Sequence, residues 1–299
     1  MKVIITGVSG FVGQNLQDYL KKDHEIDSLS VRYKENQQFD LKGDVIIHLA
    51  GKAHDLKKVS KPQDYYEANY ELTKQLFDSF LNSEVSIFIF MSTVKAVADE
   101  VVGVLTEEMK PNPKTHYGIA KHQSEKYILS KELPVGKKIY ILRPCMIHGP
   151  GNKGNLNLLY QLIVKGFPWP LGAFKNQRSF LSIENLCFVI KELLEQTTIP
   201  SGIYNVADDD HLSTNELIII MGESLRKKVN ILKIPIKLIE TMALLGNFLK
   251  LPLNREKLQK LTESYIVDNK KINSKIGKPL PMSSREGLKI TFDFFRKNT

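Results

Sequence analysis

Cysteine is scarce in this chain: 299 residues carry two, Cys145 and Cys187. Two thiols cannot build a disulfide framework, and neither stands at metal-ligand spacing, so a stapled secreted scaffold and a structural metal site are both excluded. Both are read as buried packing residues, and no metal is expected. Long apolar runs are missing as well, since no stretch reaches the roughly 18 apolar residues that would cross a bilayer. There is no internal repeat, no low-complexity tract and no segment of disordered composition. Met1 leads directly into an apolar strand, which leaves no secretory leader and implies a soluble, cytoplasmic protein. The 42 basic residues exceed the 33 acidic ones by nine, yet the lysines are scattered over helix faces. No basic block interleaves with aromatics as single-strand binding requires. The charge therefore points to small anions such as diphosphates, which a positive field steers, and away from nucleic acid or a membrane.

What is present begins at the N-terminus. The apolar strand Val3-Ile4-Ile5 runs into Gly7-Val8-Ser9-Gly10-Phe11-Val12-Gly13, a glycine-spaced turn that opens into a helix. Glycine permits the tight turn, lets the backbone approach a pyrophosphate, and allows the helix to sit close to the strand. The helix N-terminus then offers unpaired N–H groups to phosphate. The spacing G-x-x-G-x-x-G differs by one residue from the G-x-G-x-x-G dinucleotide fingerprint. A second segment, Tyr117-Gly118-Ile119-Ala120-Lys121, puts a phenol and an ammonium on one face of a helix. Upstream, Ser92 and Thr93 close the apolar run from Val85 to Phe90, and the ends of such strands are where open α/β sheets bind ligands.

With these residues the chain resembles the extended short-chain dehydrogenase/reductases, the NAD-dependent epimerase/dehydratase family, and within it the UDP-glucose 4-epimerase-like enzymes and nucleotide-sugar 4-ketoreductases. TGVSGFVG matches the TGxxGFxG start, and HLAG (His48–Gly51) matches the strand end beside the nicotinamide. LRPCMIHGPG and QRSFLSIENL match two later segments. The resemblance implies a Rossmann-type, doubly wound parallel α/β sheet with a smaller, mostly helical substrate lobe. It assigns the cofactor to Gly7, Ser9, Gly10, Phe11, Val12, Gly13, Leu49, Ala50, Gly51, Lys121 and Pro144. It gives the chemistry to Tyr117, Lys121 and Thr93, with Ser92 as the alternate hydroxyl. It assigns the substrate to Thr93, Tyr117, Arg178 and Asn155, with Arg178 on the diphosphate. Asn69 matches an asparagine that braces the core strands. Pairing through two helices per subunit, as a homodimer, is implied by the same likeness.

The element pattern is consistent with this. Strands are expected near 2–6, 25–31, 45–49, 85–91, 139–143 and 202–206, with helices near 11–22, 64–82, 115 onward and 183–196. Only a dozen residues separate the second and third strands, too few for a crossover helix, so one βα unit is expected to be trimmed to a loop. Residues 1–144 with about 178–206 are assigned to the nucleotide-binding domain, and about 145–177 with 207–299 to the lobe. The apolar stretch Ile236–Leu245 is read as a helix packed on that lobe in preference to a membrane-surface helix.

Cofactor choice rests on the end of the second strand, where NAD users place an acidic residue. This chain has Ser30-Val31-Arg32 there. A guanidinium suits the extra phosphate of NADP, so NADP is favoured over NAD. Tyr117 is expected to move the proton, its pKa lowered by Lys121 and an oxidised nicotinamide. His54, His116, His122 and His148 are read as polar packing or loop residues. The expected activity is redox chemistry at carbon 4 of a nucleotide sugar, as reductase or epimerase, in surface polysaccharide precursor synthesis. A dehydratase is disfavoured because that chemistry wants D-E in place of Thr93-Val94. A silent dinucleotide sensor and an RNA-binding relative are the other readings.

Overall fold

The computed structural model describes residues 1–53, 61–152, 154–249 and 254–298, with the backbone alone at 155 and 246–249. The first half runs β1 (Lys2–Thr6), α1 (Phe11–Leu20), β2 (Glu25–Leu29), β3 (Val45–His48), α2 (Pro62–Tyr66), a π-helical turn (Glu67–Glu71), α3 (Leu72–Leu81), β4 (Ile87–Met91), β5 (Val104–Leu105), α4 (His116–Leu129) and β6 (Lys138–Pro144). The second half follows with β7 (Met146–His148), α5 (Asn155–Val164), β8 (Arg178–Ser182), α6 (Ile183–Glu195), β9 (Gly202–Val206), β10 (His211–Leu212) and α7 (Thr214–Ser224). It closes with α8 (Ile236–Leu249), α9 (Arg255–Thr262), β11 (Ile266–Val267), α10 (Lys270–Ile276) and α11 (Ser284–Lys297).

Six strands form one parallel sheet in the order β2-β1-β3-β4-β6-β9. Strands covered on both faces read as continuous apolar runs, and alternate residues go to opposite sides. Val3, Ile5, Val45, Ile47, Ile89 and Leu142 face one core with Leu16 and Leu20 of α1 and Leu186 and Ile190 of α6. Ile4, Ile46, Phe88, Phe90 and Ile141 face the other, with Leu76, Phe77 and Phe80 of α3. The result is a three-layer α/β fold, as the strand pattern implies.

The chain order reverses between β1 and β3, because β1 pairs with β2 on one side and β3 on the other. Thr6 is level with both Leu29 and His48, so three strand ends open onto a common crevice, where doubly wound sheets bind ligands. No helix or strand interrupts residues 30–44. The expected trimming of that unit is observed, and β2, exposed and charged, is the sheet edge.

A third core gathers Leu156, Tyr160, Trp169, Leu217, Met221, Ile239, Ala243 and Phe292, all from segments after β7. Tyr265, Val267, Ile272 and Ile276 instead join the core of the first sheet face, although the expected division gives all of 207–299 to the lobe. Phe180 and Leu181 of β8 enter different cores, which ties the lobe to the sheet. In α8 the inner stripe packs through Ile239 and Ala243, while Leu238, Met242 and Leu245 are about half exposed. The expected packing thus holds for one narrow face of this helix. Among the described residues no helix is long and apolar enough to cross a membrane.

Candidate active site

The glycine turn sits at the mouth of the crevice. Gly7 has φ +72°, and a Cβ there would stand 2.8 Å from the Ala50 nitrogen. A Cβ on Gly13 would stand 2.3 Å from the Gly7 oxygen, so α1 rests directly on the turn. Gly10 caps α1 without a side chain, and both Ser9 and Gly10 are exposed. The first-turn N–H groups beside Phe11 and Val12 are thus left bare, carrying the partial positive charge of a helix start. A hollow of about 370 Å³ is lined by Val31, Arg32, Tyr33, Ala50, Gly51 and Asp64 among others, and its Ala50 is the residue packed against Gly7. Bare amides next to a nucleoside-sized hollow fit a dinucleotide. Arg32 is exposed at the rim.

The floor of the crevice is a hydrogen-bonded chain. The Ala50 N–H donates to Thr6 Oγ1 (3.1 Å), Thr6 Oγ1 meets His48 Nδ1 (2.8 Å), His48 Nε2 meets Thr73 Oγ1 (3.0 Å), and Thr73 Oγ1 donates to the Asn69 carbonyl (2.6 Å). Because the Thr73 proton goes to Asn69, His48 must donate from Nε2 and accept at Nδ1. Burial pulls its pKa down to about 3, with the Lys121 charge adding to the effect, so the ring stays neutral and structural. The Asn69 side chain clamps Lys52, accepting from its N–H and donating to its carbonyl, both at 3.1 Å. Asn69 lies within the π-helical turn, a distortion frequent at functional sites. A Cβ on Gly51 would come 2.5 Å from Asn69 Oδ1 and 3.4 Å from Lys121 Nζ. Gly51 is therefore where the loop after β3, reached through Leu49 and Ala50, meets the helix that carries the phenol.

That helix, α4, starts at Thr115, whose hydroxyl accepts from the Gly118 N–H (3.2 Å). Its buried residues include Lys121, Ser124 and Glu125, polar groups where an ordinary helix would put leucine. Lys121 donates to the Met91 carbonyl (2.8 Å) and lies 4.6 Å from the Phe90 ring centroid. Burial drops its pKa to about 7, opposed by the Glu125 carboxylate. Tyr117 behaves differently from expectation. Burial pushes the phenol up to about 12, with a hydrogen bond from the Thr93 side chain opposing it. The expected lowering is absent in the protein by itself, because desolvation of the phenolate outweighs what its neighbours supply.

The two candidate hydroxyls separate cleanly. Thr93 is the one on Tyr117, and its Oγ1 also accepts from the Lys95 N–H (3.2 Å). Ser92 points elsewhere, donating at 2.5 Å to Glu125 Oε1. Glu125 in turn receives Arg143 twice, Nε at 2.9 Å and Nη2 at 2.6 Å, with both partners buried. Ser92 is thereby removed from the phenol's surroundings. Sequence reasoning missed Glu125 and Arg143, although Tyr117, Lys121 and Glu125 step by four along one helix face. Pro144 ends β6 level with Val206, at the same edge of the sheet.

On the lobe side, Arg178 opens β8. Its Nη1 donates to the Lys260 carbonyl, and Nη2 lies 3.9 Å from Glu263. Burial lowers its pKa, with Glu263 opposing. Asn155 begins α5, but its side chain lies outside the described residues, as does His54. His116 meets the Tyr66 hydroxyl, His122 lies 3.8 Å from Glu125, and His148 is buried against Thr291. Cys145 and Cys187 are both buried, and burial raises both thiols. Among the described residues no group of His, Cys, Asp and Glu is placed to hold a metal ion.

Residues 3–207 match the model of the NAD dependent epimerase/dehydratase family. The chain is 29% identical to a UDP-glucose 4-epimerase of Vibrio cholerae over 98% of its own length and 95% of that protein's. It is 28% identical to an N-acetyl-alpha-D-glucosaminyl-diphospho-ditrans,octacis-undecaprenol 4-epimerase of Escherichia coli O157:H7, covering 78% of this chain and 75% of that one. Its fold is shared with a UDP-glucuronic acid 4-epimerase from Bacillus cereus solved with UDP-glucuronic acid and NAD (TM-score 0.77, 20% identity, all of both chains covered).

Proposed function

The chain belongs to the NAD dependent epimerase/dehydratase family, and from that premise we propose that it moves a hydride at carbon 4 of a nucleotide sugar, UDP-linked, through Tyr117, Thr93 and Lys121. The single observation that carries this reading is a half-buried phenol, with the Thr93 side chain beside it, on the same helix face as a buried ammonium. A bound dinucleotide supplies the hydride acceptor or donor. The protein supplies everything that happens to the proton.

Oxidising a carbinol requires a base on its hydroxyl, and reducing a ketone requires an acid on its oxygen; Tyr117 serves both. Thr93 holds the reacting oxygen in line with the phenol. Lys121, next to Gly51, reaches toward the cofactor side and contributes positive charge. With burial holding the phenol at about 12, bringing it to neutrality takes about 7 kcal/mol of preferential stabilisation of the phenolate. Cationic groups brought to the site must provide it, so proton loss is coupled to having the oxidised cofactor in place. Arg178 would exchange its contact with the Lys260 carbonyl for the substrate diphosphate, which a guanidinium grips with two donors.

For the cofactor we favour NADP. Ser30, Val31 and Arg32, none of them acidic, come directly after β2, and Arg32 stands at the rim of the nucleoside-sized hollow, where a guanidinium suits a ribose phosphate. The test is to purify the protein gently, denature it and identify any released nucleotide by mass spectrometry, then titrate the emptied protein with NADPH and NADH. An empty protein preferring NADPH supports a net 4-ketoreductase, to be followed by a panel of UDP-linked 4-keto sugars. Near-stoichiometric NAD points to a 4-epimerase that recycles its cofactor and overturns the role given to Arg32. Absence of affinity for either dinucleotide overturns the proposal. Precursors of surface polysaccharides are the substrates that fit this activity, and a homodimer is the assembly we expect by analogy with the family.

A further inference from the structure

Lys95 is a part-buried cation that the mechanism leaves unused. Its main chain is locked to the reacting groups: its N–H donates to Thr93 Oγ1 (3.2 Å), and a Cβ on Gly118 would stand 2.4 Å from its carbonyl oxygen. Its side chain runs toward the lobe. Nζ donates to the Asp99 carbonyl (2.6 Å) and lies 4.4 Å from the centroid of the Tyr265 ring. Tyr265 is itself anchored to both sides, through its hydroxyl to the Ala98 carbonyl (2.7 Å) and through its backbone to Gln177 (2.8 Å) and Ser179 (2.9 Å), the residues flanking Arg178. The ammonium is thus held between the Thr93 turn and Arg178.

Charges of both signs surround it, but its hydrogen bonding is incomplete. Facing Lys95 are Asp99, Glu263, Arg178 and Lys260. The Asp99 carboxylate is taken up by the N–H groups of Lys114 and Thr115, and Glu263 stands 3.9 Å from Arg178. Among the described residues the Asp99 carbonyl is the one hydrogen-bond acceptor on the ammonium, which leaves two of its three N–H groups to spend. Keeping a largely buried ammonium only partly satisfied is costly, and such sites recur where a ligand completes them. The adjoining diphosphate belongs to Arg178, so the group facing Lys95 is carried further along the substrate, toward the ring at Tyr117.

We propose that Lys95 is a specificity-determining contact that donates to a carbonyl-type oxygen on the sugar ring, either a carboxylate or the carbonyl of an acylamino substituent. This inference rests on the nucleotide-sugar reading above. A plain hexose offers only hydroxyl oxygens, which are weaker acceptors for an ammonium than a carboxylate or an amide carbonyl.

The experiment is calorimetric binding of UDP, UDP-glucose, UDP-N-acetylglucosamine and UDP-glucuronate to the wild-type protein, Lys95→Met and Lys95→Arg. Lys95→Met is expected to bind UDP and UDP-glucose as the wild type does, and to lose about 10- to 100-fold for the sugar bearing the recognised oxygen. The arm that drops identifies the group, acylamino or carboxylate, and Lys95→Arg recovers part of the loss. A structural lysine would instead weaken all four together or none, and either result overturns the proposal. If the wild type binds none of the four, the nucleotide-sugar reading fails and this inference falls with it, whereas binding that is indifferent to Lys95 sinks the inference alone.

Discussion

At the scale of single residues, burial sets the chemistry. Tyr117 and Lys121 are both driven toward their neutral forms, the state in which a bare site holds no isolated charge. If Tyr117 is the proton-transfer group, Tyr117→Phe should lower turnover by about 10²- to 10⁴-fold and leave dinucleotide affinity within about twofold, checked by steady-state kinetics and fluorescence titration. Lys121 makes a second and opposite prediction about stability. Its folded pKa, about 7 against 10.5 for the free group, is depressed, so the unfolded chain takes up the proton first. The folded state therefore loses stability as pH falls from about 10.5 to about 7 and loses no more below that. Lys121→Met removes this liability: it should abolish turnover and weaken cofactor binding, yet exceed the wild type in stability by up to about 4 kcal/mol near neutrality. Urea denaturation across that pH range checks it, and a gain that did not shrink toward pH 10 would rule out the buried ammonium as its cause.

At the scale of elements, two non-local fastenings position the site. The chain from Ala50 through Thr6, His48 and Thr73 to Asn69 joins the ends of β1 and β3 to the π-helical turn. The Glu125–Arg143 pair fastens α4 to β6 and holds Ser92 at the end of β4. Breaking one side of such a buried pair strands a charge, so Arg143→Met should cost about 3–5 kcal/mol. The double substitution Arg143→Met with Glu125→Leu should recover much of that loss, as seen by chemical denaturation. Equal stability of the single and double variants would mean that the pair is not coupled.

At the scale of the whole molecule, the net charge of +9 acts on ligands that carry diphosphates. Substrate capture should therefore slow as salt rises: kcat/KM is expected to fall several-fold between low and physiological ionic strength with kcat nearly constant. A salt-independent kcat/KM would show that the field does not reach the crevice. The same charge does not require nucleic acid, because its lysines form no continuous track in the sequence. α8 leaves Leu238, Met242 and Leu245 outward at the molecule's surface, a feature of the lobe that its inner packing does not explain.

The sheet, the glycine turn and the Tyr117–Lys121 pair were legible from the chain because each rests on local rules. Short continuous apolar runs, a turn that admits only glycine, and side chains four apart on a helix all act within a few residues. The short link between β2 and β3 was equally plain, since a dozen residues cannot form a crossover. Other features needed distant partners. Ser92 and Thr93 are neighbours in sequence but point to opposite sides at the end of β4, and only Glu125, 33 residues on, decides which hydroxyl is free. The phenol's upward shift depends on how much of the fold surrounds it. Arg178 is held by a carbonyl 82 residues away, and Lys95 lies against a ring from the far end of the chain. Sequence alone determined which groups could do the chemistry, through backbone sterics and periodicity; tertiary packing decided which of them face one another, because desolvation and pairing belong to the assembled interior.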